Sequence, residues 1–156
     1  MSVEKRLKEL GLELPSAATP VANYVPAVRA GNLVFLSGHG PVGKDRLIVG
    51  KLGADLTVEE GYAAARLVAL GLLGSLKSLI GDLDRVRRIV KLLGMVNCDP
   101  AFREHPRVVD GASDLLVEVF GEKGRHARSA VGMNALPFNI AVEIEMIVEL
   151  EDEPGA

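Results

Sequence analysis

The chain of 156 residues has one cysteine, Cys98, and no tryptophan. A single thiol excludes an intrachain disulfide and a cysteine-built zinc cluster, and it fits a reducing, cytoplasmic setting. Aromatic residues make up only 4% of the chain, which leaves few rings on which bases could stack. A surplus of positive charge is also missing. The 18 basic residues are outnumbered by 21 acidic ones and scattered in ones and twos, so no cationic surface marks nucleic acid as a partner. The N-terminal segment MSVEKRLKELGLELP alternates charge with leucine and lacks the apolar core of a secretory signal. No apolar run reads as long enough to cross a bilayer, so no membrane association is expected.

What is present is apolar content sufficient for one core, 48% of the residues. Residues 1–20 read as a helical extension and 21–151 as one domain. The stretch SGHGPVGKD, Ser37 to Asp45, matches two nucleotide motifs: G-x-x-x-x-G-K through Gly38, Gly43 and Lys44, and G-x-G-x-x-G through Gly38, Gly40 and Gly43. A phosphate loop needs a helix directly after its lysine and a Ser or Thr for magnesium. Here Asp45 stands at the metal-ligand position, Pro41 interrupts the loop, and Arg46 to Val49 reads as strand. Both matches are therefore taken as accidental.

Two periods run through the rest. Val3, Leu7 and Leu10 mark a short N-terminal helix. YVPAV, NLVFLSG and RLIVG read as three strands of a meander. Thr57 to Leu79 is the clearest helix, with a Thr57/Glu60 capping box and a stripe of Val58, Tyr62, Ala65, Ala69, Leu72, Leu76 and Leu79. VRRIVKLLGMVN, ending at Asn97, is a long strand, and Arg107 to Phe120 a second helix, with Val108, Ala112, Leu115, Leu116 and Val119 on one side. AVEIEMIVEL alternates: Val142, Ile144, Met146, Val148 and Leu150 on one face, Glu143, Glu145 and Glu149 on the other. A hairpin turn around Leu136 to Asn139 would pair this strand with the one carrying Arg128, setting Arg128 near Glu143 or Glu145.

The order NYVPAVRAGNLVFLSGHGPV, long helix, DRVRRIVKLLGMVN, second helix, RSAVGMNALPFNIAVEIEMIVEL resembles the RidA/YjgF family, also labelled L-PSP, from about Tyr24 to Leu150. The Arg-Ser-x-Val segment, the Leu136-Pro137 turn and the Glu-x-Glu strand carry the likeness. The resemblance implies an α+β, chorismate-mutase-like fold: a mixed, mostly antiparallel sheet of six strands with two helices on one face. It also implies a homotrimer with sites in the clefts between subunits. Well-understood members hydrolyse enamines and imines such as 2-aminoacrylate to 2-oxo acids and ammonia. By that resemblance Arg128 clamps the substrate carboxylate, Glu143 holds or activates the attacking water, and Tyr24, Ser37 and Gly38 line the pocket. Imine hydrolysis needs a fixed carboxylate, a placed water and proton transfer, and no cofactor or metal is implied. Ala130 stands where the deaminases commonly carry cysteine, and SGHG where they carry an SGQ-like loop.

On spacing alone these residues also have plain readings. Arg128 could be a surface partner of Glu145, Glu143 part of a solvated row, Tyr24 core packing. His39 reads equally as a loop histidine or as an acid–base group at the pocket rim. His105 and His126 are taken as surface residues and Cys98 as a small buried apolar one. Three functions follow: a deaminase of the RidA type, a binder of small carboxylates such as 2-oxo acids without turnover, and an L-PSP-type endoribonuclease or translation inhibitor.

Overall fold

The computed structural model describes residues 1–17, 19 and 22–153, so the domain boundary expected at residues 20/21 lies outside the described residues. The last strand organises the rest. In β5 (Val142–Leu150), Val142, Ile144, Met146, Val148 and Leu150 are buried, whereas Glu143, Glu145, Ile147 and Glu149 share the opposite face. A strand with one wholly apolar face buries it best between two neighbours, and β5 is the central strand. It runs antiparallel to β2 (Leu33–His39) on one side and to β3 (Val86–Asn97) on the other. β1 (Ala27–Ala30) pairs outside β2, and β4 (Ala127–Met133) pairs outside β3, giving the order β1-β2-β5-β3-β4.

The sheet has five strands rather than the expected six. Arg46 to Val49 makes only isolated bridges, Val42 to Leu47 and Val49 to Ile140, because Pro41 and the turn closed by Gly43 N–H to Arg46 O leave too short a run to form a ladder. The expected C-terminal hairpin is also absent. β4 lies parallel to β3, with Arg128 opposite Leu92, and β5 pairs with β2 and β3 instead. The crossover helix between β3 and β4 returns the chain to the same end of the sheet, which enforces a parallel pair.

Both long helices cover one face. α2 (Val58–Ile80) starts at the expected capping box: Glu60 N–H donates to Thr57 Oγ1 and Thr57 N–H to Glu60 Oε2. Its buried side includes Ala65, Ala69, Leu72 and Leu76 as read, but Leu79 is exposed and Ile80 is buried in its stead. By length and composition α2 could cross a membrane, yet that apolar side is spent against the sheet and α3. α3 (His105–Phe120) buries Val108, Ala112, Leu115, Leu116 and Val119. The N-terminal helix α1 (Val3–Glu9) docks on the same core through Leu7, while Arg6 Nε donates to the Glu118 carbonyl at 2.8 Å.

Two substitutions measure these supports. Leu72→Ala, at a fully buried position, is expected to cost about 2–5 kcal/mol. Thr57→Ala, which removes one half of the reciprocal cap, is expected to cost about 1 kcal/mol. Both read as a lower urea midpoint at unchanged slope.

Candidate functional site

The register divides the sheet into two chemically different faces. Met95, Glu143, Leu93, Glu145, Phe35 and Ile147 lie on the face away from the helices, paired across the strands as Met95–Glu143, Leu93–Glu145 and Phe35–Ile147. On this open face β2 changes register between Leu36 and His39, a bulge at Ser37-Gly38. A Cβ built on Gly38 would collide with Glu143 Oε2, so the Glu143 carboxyl rests directly on the backbone of the bulge. Only glycine allows that approach. Burial, and then the neighbouring Glu145 charge, push the Glu143 carboxyl above the usual carboxylate range.

Ser37 holds the flank of this floor. Its hydroxyl donates to the Val25 carbonyl at 2.7 Å and its N–H to the Pro26 carbonyl at 2.9 Å. These bonds draw the segment after Tyr24 against the bulge, and Tyr24 itself is half exposed. Tyr24, Ser37, Gly38 and Glu143 thus belong to one end of the open face.

His39 does not stand at a pocket rim. It pairs with Ile144 on the helix-covered face and is buried, with Nδ1 2.6 Å from Ser37 O and Nε2 2.7 Å from Ser75 Oγ of α2. Burial holds the imidazole below the usual histidine range, against an upward pull from the Ser37 carbonyl. Neutral, and donating from Nδ1 to that carbonyl, the ring turns Nε2 as an acceptor towards the Ser75 hydroxyl. The odd step in register at the bulge is what swings residue 39 inwards.

Arg128 shares the helix-covered side with its register partner Leu92 and is not beside Glu143 or Glu145, because β3 separates β4 from β5. Its Nη1 donates to Asp110 Oδ1 at 2.8 Å and to Ser113 Oγ at 3.1 Å, both on α3. Both bonds use the same nitrogen. Nε and Nη2 have no hydrogen-bond partner among the described residues, so the fork keeps one edge for a bidentate acceptor. His126, expected on the surface, is half buried: Nδ1 lies 2.7 Å from Gly124 O and Nε2 2.9 Å from Ser113 Oγ. It buttresses the serine that steadies Arg128.

Sequence reading missed a cavity of about 580 Å³ at the carboxyl ends of β3 and β4, lined by Lys51, Cys98, Arg103, His105, Gly132 and Asn134 among others. Cys98 is buried as expected, but its Sγ lies 3.3 Å from His105 Nε2, and His105 is half buried rather than on the surface. These residues come from three separate stretches of chain, with no spacing motif joining them. The parallel β3–α3–β4 crossover joins the last two stretches, and the bridge between Leu52 and Cys98 adds Lys51.

The sequence model of the family described as "YjgF/chorismate mutase-like, putative endoribonuclease" matches residues 4–150, a span that includes α1. Among curated proteins, TCP17 of Trypanosoma cruzi is 49% identical over 152 residues, 96% of this chain and 95% of that one. Among solved structures, Atu1372 of Agrobacterium tumefaciens is 47% identical with a TM-score of 0.88, covering 96% of this chain and 92% of that one. RidA of the Antarctic bacterium Psychrobacter sp. PAMC 21119 is 25% identical with a TM-score of 0.60, covering 86% and 94%. With its central β5, its two covering helices and a match over nearly its whole length, the chain belongs to the YjgF/chorismate-mutase-like, or RidA/L-PSP, family.

Proposed function

We propose that this chain hydrolyses small enamine and imine acids of the 2-aminoacrylate kind to 2-oxo acids and ammonia, in sites formed between copies of itself. The observation that carries this reading is the Glu143 carboxyl, seated on the Gly38 bulge with its proton affinity raised by burial and by Glu145. A carboxyl so tuned can exchange a proton with substrate closer to neutrality than an ordinary one. Protonation of the enamine carbon gives the imine. Glu143 then takes a proton from water as its oxygen adds to the imine carbon and returns it to the nitrogen; as ammonia leaves, the C=O forms and the remaining hydroxyl proton passes to Glu143.

The substrate carboxylate is assigned to the open edge of Arg128, a rigid fork suited to two parallel hydrogen bonds. Within one copy, however, Arg128 and Glu143 occupy opposite faces of the sheet. A site using both must draw them from two copies. The open face supports such an assembly, since Val28, Leu33, Phe35 and Val131 lie there exposed. A homotrimer, closed by rotation, gives every copy the same pair of contacts.

With freshly generated 2-aminoacrylate, release of ammonia and 2-oxo acid is expected to fall at least about 100-fold in Glu143→Gln. Arg128→Ala is expected to raise KM about 10- to 100-fold, the loss of a charge-assisted hydrogen-bonded pair. Wild-type rates in both variants would end the reading. Mixing the two variants after unfolding and refolding them together should restore activity, because about one interface in four regains both groups when copies assemble at random. No recovery would place both groups in one copy.

The pH dependence follows from the sign of the shift. The Glu143 base form is lost as pH falls through a pKa above the usual carboxylate value, so kcat/KM should decline at a higher pH than an unperturbed glutamate would give. The folded state also holds this proton more tightly than the unfolded chain does, a stabilisation present at low pH and lost as pH rises through the raised pKa. Glu143→Gln is therefore expected to melt no lower than wild type at pH 7, despite its lost activity. A lower Tm would show that the carboxylate is structural.

A further inference from the structure

The cavity at the carboxyl ends of β3 and β4 contains two cations, Lys51 and Arg103, that form no ion pair among the described residues. Lys51 Nζ donates to Asn97 Oδ1 at 2.7 Å and to Asn134 O at 2.6 Å, both uncharged. Its third N–H has no acceptor among the described residues. Arg103 Nη1 spends its bonds on the Pro100 and Phe102 carbonyls, at 2.8 and 2.9 Å. Neither side chain forms an ion pair among the described residues. Asp99, on the same wall, instead accepts from the Ala101 N–H at 2.8 Å.

The same cavity is lined by the Cys98–His105 pair, Sγ to Nε2 3.3 Å. It sits over Gly132, where a Cβ would come within 2.5 Å of Nε2 and 2.9 Å of Sγ, so the absent side chain makes the room. Burial pushes the Cys98 thiol up, opposed by the Lys51 charge and by the Met133 backbone. The resting sulfur is thus a neutral thiol, and it needs a base to attack. His105 is in contact to serve as one.

We propose that this cavity binds a small carboxylate bearing an electrophilic carbon, the carboxylate on Lys51 and Arg103, with Cys98 as nucleophile and His105 as its base. For a 2-oxo acid the sulfur bonds to the carbonyl carbon and the C=O π pair moves to oxygen. The thiol proton passes through His105 Nε2 to that oxygen, giving a thiohemiketal. The addition is reversible and needs no oxidant or reductant. This site uses neither Arg128 nor Glu143.

Because Cys98 is the one cysteine of the chain, alkylation rates read it directly. Iodoacetate and iodoacetamide deliver the same carbon, the sulfur displacing iodide, and differ in the carboxylate. Relative to an unstructured cysteine peptide, wild type is expected to favour iodoacetate by about tenfold or more, a charge effect of the size seen at partly desolvated sites. Lys51→Met should remove that preference: both reagents slow as the thiolate loses a neighbouring charge, but iodoacetate slows about tenfold more than iodoacetamide. His105→Gln should slow both reagents. Pyruvate should protect the wild-type thiol from iodoacetamide and not protect Lys51→Met. Arg103→Gln, at an exposed side chain, should weaken the preference and decides the matter if Lys51→Met does not fold. Equal selectivity in protein and peptide, or no protection by pyruvate, overturns the proposal. Arg128→Ala and Glu143→Gln should alkylate as wild type does, which separates this outcome from the fate of the proposed hydrolysis.

Discussion

The structure depends on the pairing of β5 with β2 and β3 at once. Its even-numbered residues all face α2 and α3 and are buried, and its odd-numbered ones include three glutamates. A slip of one residue would put those carboxylates under the helices and five apolar side chains into water, a penalty of many kcal/mol by area alone. Register is therefore fixed with little tolerance. The same alternation that builds the core decides which polar groups are available to chemistry, and on which side.

That division separates the polar equipment into two sets. The open face carries Glu143 over the Gly38 bulge, bordered by apolar side chains. The helix side carries Arg128 with Asp110, Ser113 and His126, and beyond it the Lys51–Cys98–His105 cavity. No single copy brings the two sets into contact through the sheet. The arrangement suits a protein whose chemistry is completed by association, and the lack of a cationic surface in the sequence leaves the endoribonuclease reading with little electrostatic support.

The parts legible in the sequence were those set by local period and local chemistry. The Thr57/Glu60 box, the stripe of α3 and the two faces of β5 need only nearby residues, and they stand as read. Strand partners were not legible, because alternation fixes which way side chains point and not which strand lies next door. The hairpin expectation failed at Asn134 to Ala141, a link long enough to let β5 enter on the far side of β3. His39 was misread for a related reason: a bulge inverts the in–out parity on which strand reading rests. The Lys51 cavity left no trace in the sequence, since its residues meet only through a crossover and an isolated bridge between Leu52 and Cys98.

The fastening of His39 at both ring nitrogens has a mechanical consequence. One bond runs to the Ser37 carbonyl at the bulge and the other to Ser75 on α2, so the floor beneath Glu143 is bolted to the most deeply packed helix of the domain. A surface loop of the same length would open by itself many times before the domain unfolded. Here the bulge is coupled through His39 to the packing of α2. Changes in the core beneath α2, remote from any substrate, are then transmitted through one imidazole to the backbone on which that carboxyl rests.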